Sequence, residues 1–359
     1  MGDSATHPLA DRVARFVRRP DPDAFAELAL AAFAHQYDRL AAYRRLCASA
    51  GVEPGSISDW RQIPAIPVLA YQTLELSTAP AVEIFRSSGT TGGQRSVHGH
   101  PFPDLYRLVI DRTFPRYCLR SEDERPPMLA LVPRRRQIAD SSLGFMVDHV
   151  VDRFGGDGSR YAFDERGVDV EAACGWCRDL QRDGRPGLIL ATSFALAQWL
   201  QALADDDRRF RLPPGTRVFD TGGFKGRVRE ISRDQLLADL EERLGVAADR
   251  VVREYGMTEL TSQFYTDVLR GGDGDVFVGP PWLEARILDP VTLREAPAGE
   301  SGLVTIFDLA NLGSAVHLLV QDIGIADGGG LRLLGRASGA ELRGCSLTVE
   351  MLEAGAFRG

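Results

Sequence analysis

Lysine is almost absent: of the 42 basic residues only Lys225 is lysine, and arginine supplies the rest. Arginine substitutes poorly where a compact point charge is needed, so a single retained ammonium stands out by position. Basic excess is missing too, since 50 acidic residues leave a formal charge of -8. That balance excludes a surface built for nucleic acid or anionic membrane. The one basic run, Arg134 to Arg136, reads as a solvated loop. Cysteine is scarce and odd in number: Cys47, Cys118, Cys174, Cys177 and Cys345 do not form the pattern of an extracellular disulfide framework. Cys174 and Cys177 share a helix-like stretch with no second ligand pair nearby, which favours buried structural thiols over zinc. No apolar run approaches the roughly 18–20 residues that span a bilayer. The opening MGDSATHPLADR has neither a basic nor an apolar leader segment, so a cytoplasmic protein is expected.

Hydrophobic residues make up 44% of the 359, ample for a large core. Asp21-Pro22-Asp23 reads as a helix start, and Phe25, Leu28, Ala32, Phe33, Tyr37, Leu40 and Leu46 keep helical spacing to Gly51, which predicts one long amphipathic helix. Trp60 to Leu69, with prolines three apart, is expected to run extended across the surface. Pro103 to Phe114 reads as helix. Met128 to Val132, Leu188 to Thr192 and Arg217 to Asp220 read as buried strands, followed by helices at Ser142 to Val151, Ser193 to Ala204 and Arg229 to Leu244. This alternation predicts an α/β fold, a largely parallel sheet with helices on both faces and ligands beyond the carboxyl ends of its strands. Beyond Gly271, short strands at Leu283 to Leu288, Gly302 to Phe307 and Val316 to Val320 suggest a smaller β-rich part at about 272–334 of a catalytic domain spanning 1–334. Residues 335–359 cannot make a core of their own and are read as a tail.

The chemistry concentrates in IFRSSGTTGGQRS, Ile84 to Ser96. A strand-like VEIF leads into seven small hydroxyl or glycine residues, Ser87 to Gly93, which bury nothing. Glycines permit close backbone approach, and consecutive N–H groups with hydroxyls form a donor array for phosphate oxygens. The pattern is not the Walker type, because Gln94 and Arg95 stand where Gly-Lys-Ser/Thr would place its lysine. A flexible linker is the plainer alternative, but linkers do not usually sit directly behind a strand.

Four stretches then occur in order: Ser87-Ser88-Gly89-Thr90-Thr91-Gly92, Thr221-Gly222-Gly223-Phe224-Lys225-Gly226, Glu254-Tyr255-Gly256-Met257-Thr258-Glu259 and Gln321-Asp322-Ile323-Gly324. Together they resemble the adenylate-forming superfamily of acyl-CoA synthetases and firefly-type luciferases. The closing Leu334 to Thr348, with Arg343-Gly344-Cys345-Ser346-Leu347-Thr348, is similar to the end of the LuxE acyl-protein synthetases. The resemblance implies the N-terminal-domain fold of that superfamily with a truncated C-terminal lobe. It implies ATP and Mg²⁺ as cofactors and a carboxylic acid, of the fatty kind, as substrate. The acyl group is expected to pass to a thiol and on to a partner protein such as a reductase or carrier protein. By that resemblance Ser87, Ser88, Gly89, Thr90, Thr91 and Gly92 hold the β- and γ-phosphates, with Arg95 where relatives carry lysine. Gly222 and Gly223 let adenine lie on the backbone, Tyr255 stacks on it, and Asp322 accepts the ribose hydroxyls, with Arg336 also in the nucleotide site. Thr258 stands beside the α-phosphate and Glu259 is the magnesium ligand, a lone carboxylate being sufficient for Mg²⁺.

Lys225, next to the presumed adenine loop, is the candidate to stabilise charge in place of the lysine a larger C-terminal lobe supplies. Cys345 is the expected acyl acceptor. Its parity with Leu347 and Val349 would suit a core thiol, whereas Gly344, Arg336 and Arg343 favour a reactive thiolate. Phe145, Phe194 and Trp199 fit an acyl pocket or ordinary packing equally well. A ligase that hands the acyl group directly to CoA or a carrier thiol remains an alternative, as does a nucleotide-binding subunit without turnover.

Overall fold

The structure, a computed structural model, describes residues 7–88, 94–222 and 231–337. Its frame is a set of short apolar strands. Met128–Leu131, Leu188–Thr192, Arg217–Thr221 and Val251–Tyr255 lie parallel in that spatial order, with Arg160–Tyr161 outside the first. Met128 to Leu131 are all buried, as expected of strands covered on both faces. One face receives Val170–Asp183, Ser193–Asp205 and Arg233–Leu244, whose Trp176, Trp199 and Leu240 share a core. The other receives Pro103–Cys118 and Ser142–Phe154, through Phe114, Phe145 and Phe154. Helix starts are set by side-chain caps: Ser141, Asp169, Thr192 and Ser232 each accept the N–H three residues on. Gly184 and Gly245 end two of these helices at positive φ.

Past Tyr255 the chain turns back. Phe264–Thr266 pairs antiparallel with the last parallel strand, and Val276–Val278, Gly330–Arg336, His317–Asp327, Gly302–Asp308 and Leu283–Leu288 continue the same sheet outward. The expected α/β class and the strands expected beyond Gly271 are therefore present, the third extending to Asp327. Among the described residues no helix is long and apolar enough to cross a membrane.

Three local expectations need correction. The helix expected from Phe25 to Gly51 is two, Phe25–Arg39 and Ala41–Ser49, separated by extended Leu40, which is buried and caps Gln36 with its N–H. A further helix, Pro8–Arg18, precedes them and buries Val13, Phe16 and Val17. Trp60 to Leu69 does not cross the surface: Trp60, Ile63 and Ile66 are buried, and Ile66–Pro67 pairs with Leu318 and Leu319. A proline is tolerated there because an edge position asks for no N–H. The helix from Pro103 runs through Pro115 to Cys118, since Tyr117 and Cys118 belong to the core and one missing N–H removes a single bond.

A buried ion pair closes the amino end of the parallel strands. Arg217 is 1% exposed; it donates to both Glu124 carboxylate oxygens, at 2.9 and 2.6 Å, and to the Cys118 carbonyl. Arg217→Leu, which leaves Glu124 without its counter-charge, should lower the unfolding free energy by about 3 kcal/mol, read by urea titration; a change within experimental error would make the pair dispensable.

Candidate active site

The expected nucleotide residues gather where the last two parallel strands end. Thr221 and Glu254 are neighbours in register, and the Thr221 hydroxyl donates to the Glu254 carboxylate. Both side chains are buried. The same carboxylate explains Gly256, where an added Cβ would fall 2.2 Å from Glu254 Oε1. Gly222 follows Thr221 at φ +75°, a conformation that suits glycine.

Tyr255 reaches across the sheet. Its hydroxyl donates to Asp322 Oδ2 at 2.8 Å, and Asp322 Oδ1 lies 3.7 Å from the guanidinium of Arg336, its cross-strand partner. Burial and the Asp322 carboxylate push the Tyr255 phenol well above its ordinary value, so it stays a donor. The half-buried ring rests on Phe264 and Phe277. Residues expected to stack on adenine and to accept ribose hydroxyls are thus joined directly, with Arg336 beside them.

Thr258 and Glu259 lie in the turn between Tyr255 and Phe264. Two histidines on the return strand of the hairpin that precedes and follows the serine- and glycine-rich stretch hold this turn. The hairpin pairs Glu83–Arg86 with Val97–His100. His98 Nδ1 bonds the Thr258 carbonyl at 2.8 Å, and His100 Nε2 bonds the Thr261 hydroxyl at 3.0 Å. Burial drives His98 down to about 4 and His100 well below its ordinary value, so both are neutral. From the other side Asn311 donates to the Glu259 carbonyl at 2.9 Å and accepts from Thr261. Asp308 accepts from the Thr261 and Ser262 amides. Glu259 itself is 6% exposed.

At the mouth of the hairpin, the Ser87 hydroxyl accepts from the Ser96 amide at 2.9 Å, and Ser88 is exposed. Arg95 folds back on its own hairpin, donating to the Ser87 and Arg86 carbonyls and lying 3.4 Å from Asp140. Gly89, Thr90, Thr91, Gly92, Gly223, Lys225 and Cys345 lie outside the described residues.

Other expected residues have different surroundings. Phe145 stacks on Tyr106 and Trp199 is fully buried in the core. Cys174 and Cys177 are fully buried free thiols, and burial pushes Cys177 up. No group of three or more His, Cys, Asp or Glu that could hold a metal occurs among the described residues. A lone Glu259 with phosphate oxygens suits Mg²⁺ nonetheless, because that ion accepts oxygen ligands and one or two carboxylates suffice. Arg134 and Arg135 are not a solvated run: Arg134 covers the Tyr161 ring, while Arg135 covers Phe145 and pairs with Glu83 of the hairpin. Glu254, His98, His100 and Asn311 were assigned no role from sequence. Asn311 is the only asparagine in the chain, a signal equal in kind to the lone lysine.

The fold is that of the adenylate-forming ligases. A crystal structure of 2-hydroxyisobutyryl-CoA ligase in complex with 2-HIB-AMP and CoA matches with a TM-score of 0.64, covering 94% of this chain and 75% of that one at 13% identity. The sequence, for its part, is similar to LuxE proteins. The family described as acyl-protein synthetase, LuxE, matches residues 177–352. The long-chain-fatty-acid–luciferin-component ligase of Vibrio harveyi is 22% identical over 337 residues, 90% of this chain and 86% of that one. The corresponding ligase of Aliivibrio fischeri is 22% identical over 327 residues, covering 86% and 83%.

The buried histidines set an acid limit on stability. His98, His100 and His317 are held below their ordinary values by burial, so each contributes stability above about 6.5 that is lost as the pH falls toward 4. Asp220 and Asp308, raised to about 6 by burial, act in the opposite sense. His35 is lowered to about 4 by burial as well, so four lowered histidines outnumber the raised carboxyls Asp220, Asp308 and Glu284, and stability should fall on balance as the pH drops from 7 to 5. Urea unfolding at pH 5, 6 and 7 should show this decline; stability that rises on acidification would contradict it.

Proposed function

We propose that this protein activates a carboxylic acid of the fatty class with ATP, forming an acyl-adenylate, and then loads Cys345 before passing the acyl group to a partner protein's thiol. The observation that carries the reading is the Tyr255–Asp322–Arg336 cluster, joined at one sheet end to Thr221-Gly222 and to the Thr258–Glu259 turn. A relative named for ligating long-chain fatty acid to a luciferin component supports the substrate class.

In the first step a carboxylate oxygen bonds to the α-phosphorus and the bond to pyrophosphate breaks. In the second, a thiolate attacks the acyl carbonyl and AMP leaves with the bonding electrons. Asp322, bonded on Oδ2 by the Tyr255 hydroxyl, keeps lone pairs for ribose hydroxyls. Tyr255 offers its ring to adenine and Arg336 adds positive charge beside it. Ser87 to Gly92 and Arg95 hold the terminal phosphates, and Gly222 and Gly223 line the adenine. Thr258 contacts the α-phosphate, and its position is set by His98. Glu259 would hold Mg²⁺, which when bound neutralises phosphate charge. Lys225 steadies charge on the carboxylate or α-phosphate. A second reading, direct transfer to CoA or a carrier-protein thiol, is favoured by the fold's likeness to a ligase solved with CoA.

Glu259→Gln and Lys225→Arg should each slow acid-dependent ATP–pyrophosphate exchange about a hundredfold while the protein stays folded, the usual cost of one preorganised charge-stabilising group. Raised Mg²⁺ should partly rescue only the first. Near-normal exchange in either folded variant would remove that residue from the chemistry.

Intact mass separates the two transfer routes. With ATP, Mg²⁺ and a panel of acids, the wild type should gain one acyl group that neutral hydroxylamine removes. Cys345→Ser should keep exchange and lose that label, because a serine hydroxyl is barely ionised at neutral pH. A normal hydroxylamine-labile label on Cys345→Ser would place the nucleophile elsewhere, and an unlabelled wild type that acylates CoA would establish the second reading.

A further inference from the structure

A hydrogen count at the start of the nucleotide loop does not close when every group carries its usual charge. Ser193 opens the helix Ser193–Asp205, and its hydroxyl lies between two acceptors: Asp220 Oδ1 at 2.6 Å and the Gly222 carbonyl. A hydroxyl has one hydrogen. If Asp220 is ionised, only one of these contacts is a hydrogen bond and the other sets two oxygens against each other. If Asp220 carries a proton, it donates to Ser193, Ser193 donates to Gly222, and both contacts are satisfied.

Ser193 and Asp220 are 5% and 7% exposed, so water is a poor substitute for either partner. The groups facing Asp220 among the described residues are few. The neighbouring strands bring Ala191 and Arg253 beside it, and Arg233 comes from the helix beyond. Asp275 binds both arginines and so draws their charge away from Asp220. Burial outweighs the remaining attraction and lifts the carboxyl to about 6.

We propose that Asp220 is a positioning residue that, when protonated, directs the Ser193 hydrogen onto the Gly222 carbonyl and sets the loop for adenine. Ionisation turns the hydrogen back to Asp220 and releases the carbonyl. This rests on the nucleotide reading of Gly222 and adds to it that ATP binding takes up protons. The proton moves from solvent to an Asp220 carboxylate oxygen, and no other bond is made or broken.

The test uses wild type, Asp220→Asn and Ser193→Ala. Asn is chosen because its amide donates to Ser193 at every pH, as the protonated acid does. At pH 8 Asp220→Asn should bind ATP roughly three- to tenfold tighter than wild type, and at pH 5 level with it, the span one net hydrogen bond allows. Calorimetry at pH 7 in buffers of different ionisation enthalpy should find about half a proton more taken up by wild type than by Asp220→Asn, a pKa near 6 rising by about one unit on binding. Ser193→Ala should bind weakly at both pH values. Thermal unfolding without nucleotide gives an independent readout. Asp220, raised in the fold, stabilises below about pH 4 and loses that contribution as the pH rises through 6, so Asp220→Asn should gain on wild type from pH 5 to pH 8. Equal proton uptake in the two proteins, weaker binding by Asp220→Asn at pH 8, or a wild-type pH profile in Ser193→Ala would overturn the proposal. Absence of ATP binding by wild type at either pH would overturn the nucleotide reading instead, while the unfolding curves still report the Asp220 proton.

Discussion

The hydrogen bond from Thr221 to Glu254 fixes the candidate site, because it ties together the last residues of two neighbouring parallel strands. Each strand then releases a loop from a known height. Gly222 leaves one side, and Tyr255, Thr258 and Glu259 leave the other. A buried carboxylate tolerates this only with donors around it. The absence of a side chain at Gly256 follows from the same carboxylate, which occupies the space a Cβ would need. The site is therefore built inward from a polar knot rather than outward from a hydrophobic wall.

Much of the frame could be read from the chain because fully buried strands have no amphipathic ambiguity. Met128 to Leu131 and Leu188 to Thr192 are apolar on both parities, and both occur where read. The failures share a cause. Leu40 sits in phase with the helix around it, so periodicity gives no sign that its backbone is extended. Around Trp60 the prolines signalled extended chain, yet only Ile66–Pro67 is a strand and short 3-10 turns occupy Trp60–Gln62 and Val68–Gln72; nor does proline say anything about burial. Arg135 looked solvated because its ring and carboxylate partners, Phe145 and Glu83, are remote or unremarkable in sequence.

The site residues were legible one motif at a time and not as a set. Tyr255 and Asp322 are 67 residues apart, and only the sheet, by placing Gly330–Arg336 between their regions, brings a phenol to a carboxylate with Arg336 alongside. Histidine is a weak sequence signal, and an alternating pair on a strand does not say which face is inward. Their role appears only when the return arm of the hairpin is packed: His98 and His100 then bond Thr258 and Thr261, which ties the Val97–His100 strand to the turn bearing Glu259. Neutral imidazoles suit that task, since a charged ring would be costly to bury beside Phe85 and Tyr106.

Charge sets the last constraint. Glu254, Glu259, Asp308 and Asp322 converge on this end of the sheet, in a chain that is already net negative. On the proposed reading a nucleotide triphosphate must enter that field, and like charges at such range repel by several kcal/mol at low effective dielectric. Neutralisation has to come from cations placed with little freedom. Arg336 already spends charge on Asp322, and Arg95 on Asp140. On that reading further positive charge has to come from elsewhere. A divalent ion at Glu259 and the single ammonium of Lys225 are the compact charges the chemistry allows, and compactness is what arginine cannot provide. On the proposed reading the absence of lysine elsewhere has a physical sense: arginine serves the planar pairings that hold the fold together, and the role proposed for Lys225 is the one that asks for a point charge.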